Sequence, residues 1–215
     1  MGYLQDLTNE IEGMRSHPRH YNIKMQAHHV LSKSGLNNSR LKTKLRLAGY
    51  DIDTVKNLVF IPCTLQGACH LVSQLHRGNH PDIDPEGDRE DADDEDTRHP
   101  KRYHDLVASL IREEFKNVNI CKLTANQVKA KMNKLSKNLL EKIDNFSVAL
   151  TKIALTFKAR KKGCRGADTV DQANKNKDKP CPVKRRHAKN KSRSQRKENI
   201  SYTKRKRRYI LKVGK

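Results

Sequence analysis

Met25–Val30, with the sequence MQAHHV, decides how the chain is organised, because it contains two adjacent histidines. Upstream, Tyr21 and Ile23 alternate with polar residues, which predicts a strand that carries His28 and His29 to its end. Neighbouring side chains on a strand point to opposite faces, so the two rings can have different tasks. One ring can bind a metal while the other takes a proton, although an isolated pair more often marks two partly exposed surface histidines.

Further histidines downstream give the pair a context. The compact apolar run Asn57–Pro62, closed by proline, predicts a second strand of the same small sheet, with Asn57 at its start. Apolar residues at helical spacing from Leu106 to Phe115 predict a helix whose first turn holds His104. Four histidines lie between that strand and that helix: His70, which we take as a bystander, His76, His80 and His99.

Histidines in this number are typical of a catalytic metal site. Imidazole is the commonest protein ligand of divalent transition metals, and three such ligands leave positions for water and substrate. A histidine that does not bind the metal can act as a general base. Together these groups would supply what phosphodiester hydrolysis needs, a deprotonated water and a cation near the developing charge. Three alternatives stay open: a structural zinc, which would tend to use cysteine as well, scattered surface groups, or a metallohydrolase with another substrate.

The positive charge is concentrated in the C-terminal part of the chain. The 215 residues carry a formal net charge of +22. Residues 158–215 contain 23 Lys/Arg and 4 Asp/Glu, a net charge of +19, which leaves +3 for residues 1–157. This tail predicts a polyanionic partner, DNA or RNA before an anionic membrane surface. Its candidate nucleic-acid patch, or nuclear-targeting signal, is the run Lys204, Arg205, Lys206, Arg207 and Arg208.

The cysteines and the distribution of apolar residues indicate in which cellular compartment the protein is expected. The five cysteines include no C-x-x-C pair, which excludes a zinc ribbon and favours a reducing compartment over a disulfide framework. No apolar run approaches the ~20 residues that span a bilayer, and Met1–Arg15 lacks the apolar core of a signal peptide. We therefore expect no membrane insertion, and either a cytoplasmic protein or one secreted by a non-classical route.

The patterns predict an α+β fold in several parts. These are an N-terminal helix at 1–20, a compact domain at 21–118 with an acidic insertion at 82–98, a long amphipathic helix at 119–157 and a basic tail at 158–215. The long helix follows a capping box at Thr124. Its apolar stripe is expected to pack on the domain or on a second copy, the latter giving a homodimer through 124–157. The tail is rich in Lys, Arg, Asn and Ser and is expected to be disordered.

The histidines lie in an ordered series of blocks. In order, these are Ala27-His28-His29, then Gly49-Tyr50-Asp51-Ile52-Asp53 leading to Asn57–Pro62, then Leu75–Pro81, and Tyr103-His104-x-x-Val107. This series resembles the AHH nucleases, a branch of the HNH (ββα-metal) endonuclease superfamily. The resemblance covers about residues 21–115, and the whole series is more specific than the dipeptide His-His.

The resemblance implies a ββα-metal finger, embedded here in mostly helical surroundings, with one divalent ion, Mg²⁺, Mn²⁺ or Zn²⁺. It assigns the metal contact to His28, the general base to His29, and the bracing of the loop that carries the base to Asn57. It predicts only packing for Tyr103. The acidic insertion falls where the family pattern would fix the remaining ligand, so the candidates are His76, His80 and His104, with His80 preferred over His99 because it keeps the Gly78-x-His80 spacing.

We therefore predict a metal-dependent endonuclease that hydrolyses phosphodiester bonds, with DNA favoured over RNA. The resemblance further implies a toxin effector, since nuclease domains of this family frequently act as toxins, and a cognate inhibitor protein in the producer. Two alternatives belong to other classes. One is a non-catalytic nucleic-acid-binding protein on a vestigial nuclease scaffold, and the other is a regulatory protein that dimerises through the long helix.

Overall fold

The computed structural model describes residues 2–76, 101–150, 200–202 and 209–215. As predicted, the fold is α+β, with two strands among short helices and one longer helix. The elements, in chain order, are α1 (Tyr3–Glu12), a 3₁₀ turn (Pro18–Tyr21), β1 (Met25–His29), α2 (Lys33–Asn38), α3 (Lys42–Leu47), a 3₁₀ turn (Val55–Asn57), β2 (Leu58–Pro62), α4 (Leu65–Leu71), α5 (Lys101–Phe115), a 3₁₀ turn (Ile120–Lys122) and α6 (Ala125–Asp144).

β1 and β2 form a two-stranded antiparallel sheet in which Met25 lies opposite Pro62 and His29 lies opposite Leu58. β1 therefore ends on the histidine pair, as predicted. Asn57 is the last residue of the 3₁₀ turn before β2, so the strand begins at Leu58, one residue later than predicted.

The alternating pattern upstream of β1 begins earlier than the strand itself. Tyr21 belongs to a 3₁₀ turn, and Asn22 follows it with a left-handed φ of 62°. A left-handed residue cannot continue an extended strand, so pairing begins only at Met25. The sequence predicted the end of β1 better than its start.

The sheet separates two groups of buried apolar side chains. Val59 and Ile61 belong to a larger core shared with α5 and α6. Leu58 and Phe60 belong to a smaller core shared with α1. Since alternate residues of a strand face opposite sides, β2 is buried on both faces and is held firmly beside the histidine pair.

Helix α5 approaches α2 closely at Gly35. A Cβ atom at this position would lie 2.5 Å from the Cβ of Val107, so only glycine fits. The close contact fixes α5, which carries Tyr103 and His104 in its first turn. It places them beside Ser32, the N-cap residue of α2.

Helix α6 begins with the predicted capping box, in which Thr124 and Gln127 satisfy each other's backbone N–H groups. Its apolar stripe lies in the larger core and includes Val128, Met132, Leu135, Leu139 and Ile143. The stripe therefore packs on the domain itself, the first of the two predicted arrangements. The homodimer predicted through 124–157 stays a prediction, and residues 151–157 lie outside the described part of the chain.

The end of the chain pairs with the edge of β2 that β1 leaves open. The backbone N–H of Gly214 donates to the carbonyl of Leu58 at 2.7 Å. The N–H of Phe60 donates to the carbonyl of Lys215 at 2.8 Å. These bonds satisfy backbone groups that would otherwise form an exposed strand edge.

The tail was expected to be disordered over 158–215, and of this range the structure describes only residues 200–202 and 209–215. In these two pieces Ile200 lies in the smaller core and Leu211 in the larger one. Ile200 and the short run Tyr209–Leu211 are flanked by many charges and are too short to give a periodic signal, so the pattern could not reveal these contacts.

Several predicted features lie outside the described residues. They are His80, His99, the acidic insertion at 82–98, most of the tail and the run Lys204–Arg208. Among the helices that the structure describes, none has the length and apolar content to cross a membrane. The division of the chain at residues 20, 118 and 157 stays a prediction.

Candidate active site

His28 and His76 are brought together by the fold. His28 Nδ1 lies 2.9 Å from His76 Nε2, and the ring centroids are 4.4 Å apart. Both residues are almost fully buried, with 1% and 3% of their surface exposed. The two are 48 residues apart in sequence, so the pair exists only in the folded chain.

Tyr103 determines which nitrogen of His28 carries the proton. The Tyr103 hydroxyl donates its hydrogen to the carbonyl of Val30. It also lies 3.2 Å from His28 Nε2, where it must accept, since a hydroxyl has one hydrogen. Nε2 of His28 therefore carries the proton, and Nδ1 presents a lone pair toward His76. Because Tyr103 is fully buried, the pKa of its hydroxyl lies well above the ordinary value, so it stays a neutral partner.

The ring pair has the chemistry of a metal site. Two nitrogens that each lie about 2.0–2.1 Å from one ion are within about 4 Å of each other, and the 2.9 Å separation of His28 Nδ1 and His76 Nε2 meets this limit. The same distance suits a hydrogen bond between the two rings when no ion is bound. Among the described residues, no three His, Cys, Asp or Glu side chains are grouped to hold a metal. The pair therefore fits an ion as two of its ligands.

His76 is held in place by the segment that precedes it. Its backbone N–H donates to the carbonyl of Pro62 at 2.9 Å. Two residues earlier, the Gln74 side-chain amide donates to the carbonyls of Ile143 and Val148 at 2.7 and 2.6 Å. Gln74 thus ties the approach to His76 to the end of α6, which explains how a segment outside any helix holds a buried histidine.

His29 points to the other face of the sheet and meets Asp53. His29 Nε2 lies 2.6 Å from Asp53 Oδ1. A carboxylate only accepts, so Nε2–H donates and Nδ1 keeps the lone pair. Lys33 Nζ lies 2.9 Å from the same oxygen, Oδ1. The Tyr3 ring packs against His29 with centroids 4.8 Å apart.

The electrostatics keep His29 neutral and Asp53 charged. Burial lowers the pKa of His29, and the opposing effect of the hydrogen bond to Asp53 does not restore its ordinary value. Burial alone would raise the pKa of Asp53. Hydrogen bonds from Lys33 and His29 outweigh this, and the pKa of Asp53 is lowered overall. A neutral ring held by an ionised carboxylate is the form that a general base needs.

Asn57 joins the loops on both sides of this site. Its Oδ1 accepts from the N–H of Leu31 at 2.7 Å and from the hydroxyl of Ser136 at 3.2 Å. Its Nδ2 donates to the carbonyls of Leu31 and Ile52, each at 3.0 Å. Leu31 lies just beyond the histidine pair and Ile52 directly precedes Asp53, so the predicted brace acts on both loops. The side chain is fully buried.

His104, a predicted metal ligand, contacts Ser32. Its Nδ1 lies 2.8 Å from the Ser32 hydroxyl, which also accepts from the N–H of Gly35 at 3.0 Å. This contact links α5 to the start of α2. Of the predicted ligand set, the structure thus brings together His28 and His76, holds His104 on Ser32, and does not describe His80.

Sequence reasoning missed two residues that touch the histidine pair. Asp53 lies at the end of the block Gly49–Asp53, and the sequence pattern predicts no role for it. A carboxylate that closes such a block could have been considered as a partner of the base. Tyr103 was expected only to pack, although its place directly before His104 put its hydroxyl in the same part of the site. His70, taken as a bystander, and His17 are both buried, and their described contacts lie away from His28 and His29.

Comparison with known proteins agrees with this geometry. The model of AHH, a nuclease family of the HNH/ENDO VII superfamily with a conserved AHH motif, matches residues 9–143. That range includes Ala27, both histidines of the pair, Asn57 and His76. Neither curated proteins nor solved structures give a match.

Proposed function

Since the chain belongs to the AHH family of nucleases, we propose that it is a metal-dependent endonuclease that hydrolyses phosphodiester bonds in nucleic acid, DNA before RNA. One observation carries the proposal. Two buried ring nitrogens, one on His28 and one on His76, face each other. His29, the residue after His28, has a neutral ring that is oriented by the carboxylate of Asp53. This arrangement offers separate groups for a cation and for a proton.

In the proposed reaction, His29 is the general base. Asp53 holds Nε2–H, so Nδ1 takes a proton from water as the water oxygen attacks phosphorus. The bond from phosphorus to the leaving oxygen breaks, and the leaving oxygen takes up a proton from solvent water. The positive charge that His29 gains is stabilised by Asp53, whose own charge is held by Lys33.

We propose His28 Nδ1 and His76 Nε2 as ligands of one divalent ion, with His80 and His104 as the other candidates. When bound, the ion supplies positive charge next to the phosphate and the leaving oxygen. Tyr103 keeps the His28 lone pair directed at that position. Asn57 fixes the loops that carry the two histidines and Asp53.

A plasmid-nicking assay tests the proposal. The full chain is incubated with Mg²⁺, Mn²⁺ or Zn²⁺ in turn, and we expect cleavage with at least one of them. His29→Ala should lower the rate by about 10²–10⁴-fold, while His20→Ala, a histidine outside the site, should leave it unchanged. If wild type and His29→Ala nick equally, His29 is not the general base. If neither nicks while both shift DNA in a gel, the protein is a binding protein on a vestigial scaffold.

We also propose that the basic tail, with Lys204–Arg208, raises affinity for nucleic acid through counterion release. A role as a toxin effector with a cognate inhibitor extends the same activity. Expression of the wild-type chain in bacteria should then reduce viable counts, and His29→Ala should not. Equal growth of both strains at equal protein level would count against the toxin role and leave the nuclease proposal to the nicking assay.

A further inference from the structure

A second concave site lies on the α1 side of the molecule, away from the histidine pair. It is a cavity of about 780 Å³ between the end of α1 and the end of the chain. Its lining combines the segment after α1 with the two packed pieces of the tail: Gly13, Met14, Arg15, Ser16, His17, Tyr21, Tyr202, Tyr209, Ile210, Lys212 and Lys215. The proposed reaction uses none of these residues.

The lining favours an anion. Arg15, Lys212 and Lys215 contribute positive charge, and the described lining contains no Asp or Glu. His17 adds no charge near neutral pH, because burial, together with the charges of His20, Arg19 and Lys215, lowers its pKa to about 4. The result is a concave surface with a single sign of charge, which concentrates anions from solution.

Three tyrosines give the same cavity flat apolar surfaces. Tyr21 and Tyr202 pack edge to face, with centroids 5.7 Å apart. Tyr209 lies next to His17, whose Nδ1 accepts from the N–H of Arg19, so its Nε2–H is left to donate to the Tyr209 hydroxyl at 3.1 Å. Cationic groups beside aromatic rings are the combination that binds single-stranded nucleic acid. The volume lies within the range of small-ligand sites, and one nucleotide is of that size.

Helix α1 separates the cavity from His29 by a distance that a few nucleotides of one strand can span. Tyr3, in the first turn of α1, packs on His29, and Gly13, directly after the helix, lines the cavity. Helix α1 has 10 residues, which corresponds to a length of about 15 Å. At the spacing of a stacked strand, ~3.4 Å per nucleotide, this is about four nucleotides.

We propose that this cavity binds one unpaired nucleotide of the substrate strand, about four nucleotides from the bond that is cleaved. Arg15, Lys212 and Lys215 bind its phosphate, and the tyrosine rings contact its base. The proposal rests on the proposed nuclease function, because it takes the occupant from the same strand that reaches His29.

The first test removes charge at the cavity. The full chain is titrated in EDTA, which prevents cleavage, with a fluorescein-labelled single-stranded oligonucleotide at several salt concentrations. Arg15→Gln/Lys212→Gln should lower the salt slope of log Kobs by about 1.4, or ~0.7 for each lost phosphate contact. The matched control, Lys116→Gln/Lys122→Gln, removes the same charge from exposed positions between α5 and α6 and should leave the slope unchanged.

The second test fills the cavity without changing charge. A Cβ atom added at Gly13 would meet nothing within 4 Å, and the same holds for Gly2, which is not part of the described lining. Gly13→Phe should weaken binding of the oligonucleotide about 5- to 100-fold by excluding one base. Gly2→Phe should bind as the wild type does.

Equal affinities for Gly13→Phe and Gly2→Phe would overturn the proposal. So would cavity-dependent binding of free dAMP together with unchanged binding of the oligonucleotide, because the site would then serve a free nucleotide. Plasmid cleavage separates this proposal from the nuclease proposal. If the wild type cleaves and Arg15→Gln/Lys212→Gln has an unchanged KM, the cavity proposal fails alone. If the wild type never cleaves but oligonucleotide binding depends on the cavity, the nuclease proposal fails. The cavity then still binds an unpaired nucleotide, and only its distance to a cleaved bond is lost.

Discussion

The adjacent residues His28 and His29 lie on opposite faces of the small sheet and differ in burial and in contacts. On the face toward α5, His28 is 1% exposed and contacts His76 and Tyr103, all within the protein. On the face toward α1, the His29 side chain is 15% exposed and contacts Asp53, whose side chain is 37% exposed. One ring is therefore locked in a buried contact, and the other remains accessible to water.

This difference follows from strand geometry. Adjacent residues at the end of β1 must face opposite sides of the sheet. The alternation of the strand alone therefore places the two histidines in different surroundings. The buried environment suits a ligand whose tautomer must not change, and the accessible one suits a base that exchanges protons. The proposed metal ligand and the proposed base are thus neighbours in sequence that lie on opposite faces of the sheet.

The largest expected effect comes from removing each ring separately. His28→Ala should abolish tight binding of Mn²⁺ or Zn²⁺ in calorimetry, because it removes one of two facing nitrogens. His29→Ala should keep the metal affinity of the wild type while lowering cleavage by about 10²–10⁴-fold. His20→Ala serves as the control for both measurements. If His28→Ala and His29→Ala lose metal affinity equally, the metal site is not restricted to the face of the sheet that carries His28.

Asn57→Ala should have the next largest effect, because Asn57 joins the loops of both faces. It leaves the N–H and carbonyl of Leu31 and the carbonyl of Ile52 without their buried partner. We expect the free energy of unfolding to fall by about 2–4 kcal/mol, measured with urea. Asn117→Ala, at an exposed position, should change it by less than about 0.5 kcal/mol. Full stability with loss of cleavage would instead place Asn57 in the chemistry.

The two strands and the helices α5 and α6 could be predicted because each depends on a pattern of residues that are close in sequence. The alternation that ends at His29, the run Leu58–Pro62, the helical spacing after His104 and the capping box at Thr124 each lie within a few residues of one another. The choice of His28 for the metal and His29 for the base came from the resemblance. It stays a prediction that the geometry supports.

The remaining parts could not be predicted because they depend on distant contacts. The packing of Leu211 joins residues far apart in the chain, and so does the contact between Ser32 and His104. No periodicity records such contacts. Asp53 and Tyr103 were within quoted blocks, but their roles depend on which atom faces which ring, and this is decided only by the folded backbone.

Tyr103→Phe tests the buried face with a smaller change. Without the hydroxyl, His28 Nε2–H loses its partner, and the Nδ1–H tautomer becomes accessible. We expect the affinity for Zn²⁺ or Co²⁺ to fall about 10–100-fold, the usual cost of losing a group that orients a ligand. Tyr50→Phe is the matched control, since the Tyr50 hydroxyl is buried in the same core but hydrogen-bonds to none of the described residues. Equal affinities for the two variants would contradict the assignment of the tautomer.

Asp53→Asn tests the accessible face and should have the smallest effect, because water can partly replace an exposed carboxylate. The substitution keeps the size of the side chain but removes the negative charge that stabilises protonated His29. We expect kcat to fall about tenfold, the lower end of the range for groups that orient a functional histidine, with unchanged metal affinity. Asp51→Asn removes the same charge two residues away, where the carboxylate accepts from the N–H of Asp53. If both variants lower kcat equally, Asp53 acts through general charge, and the direct contact with the His29 ring has no separate role.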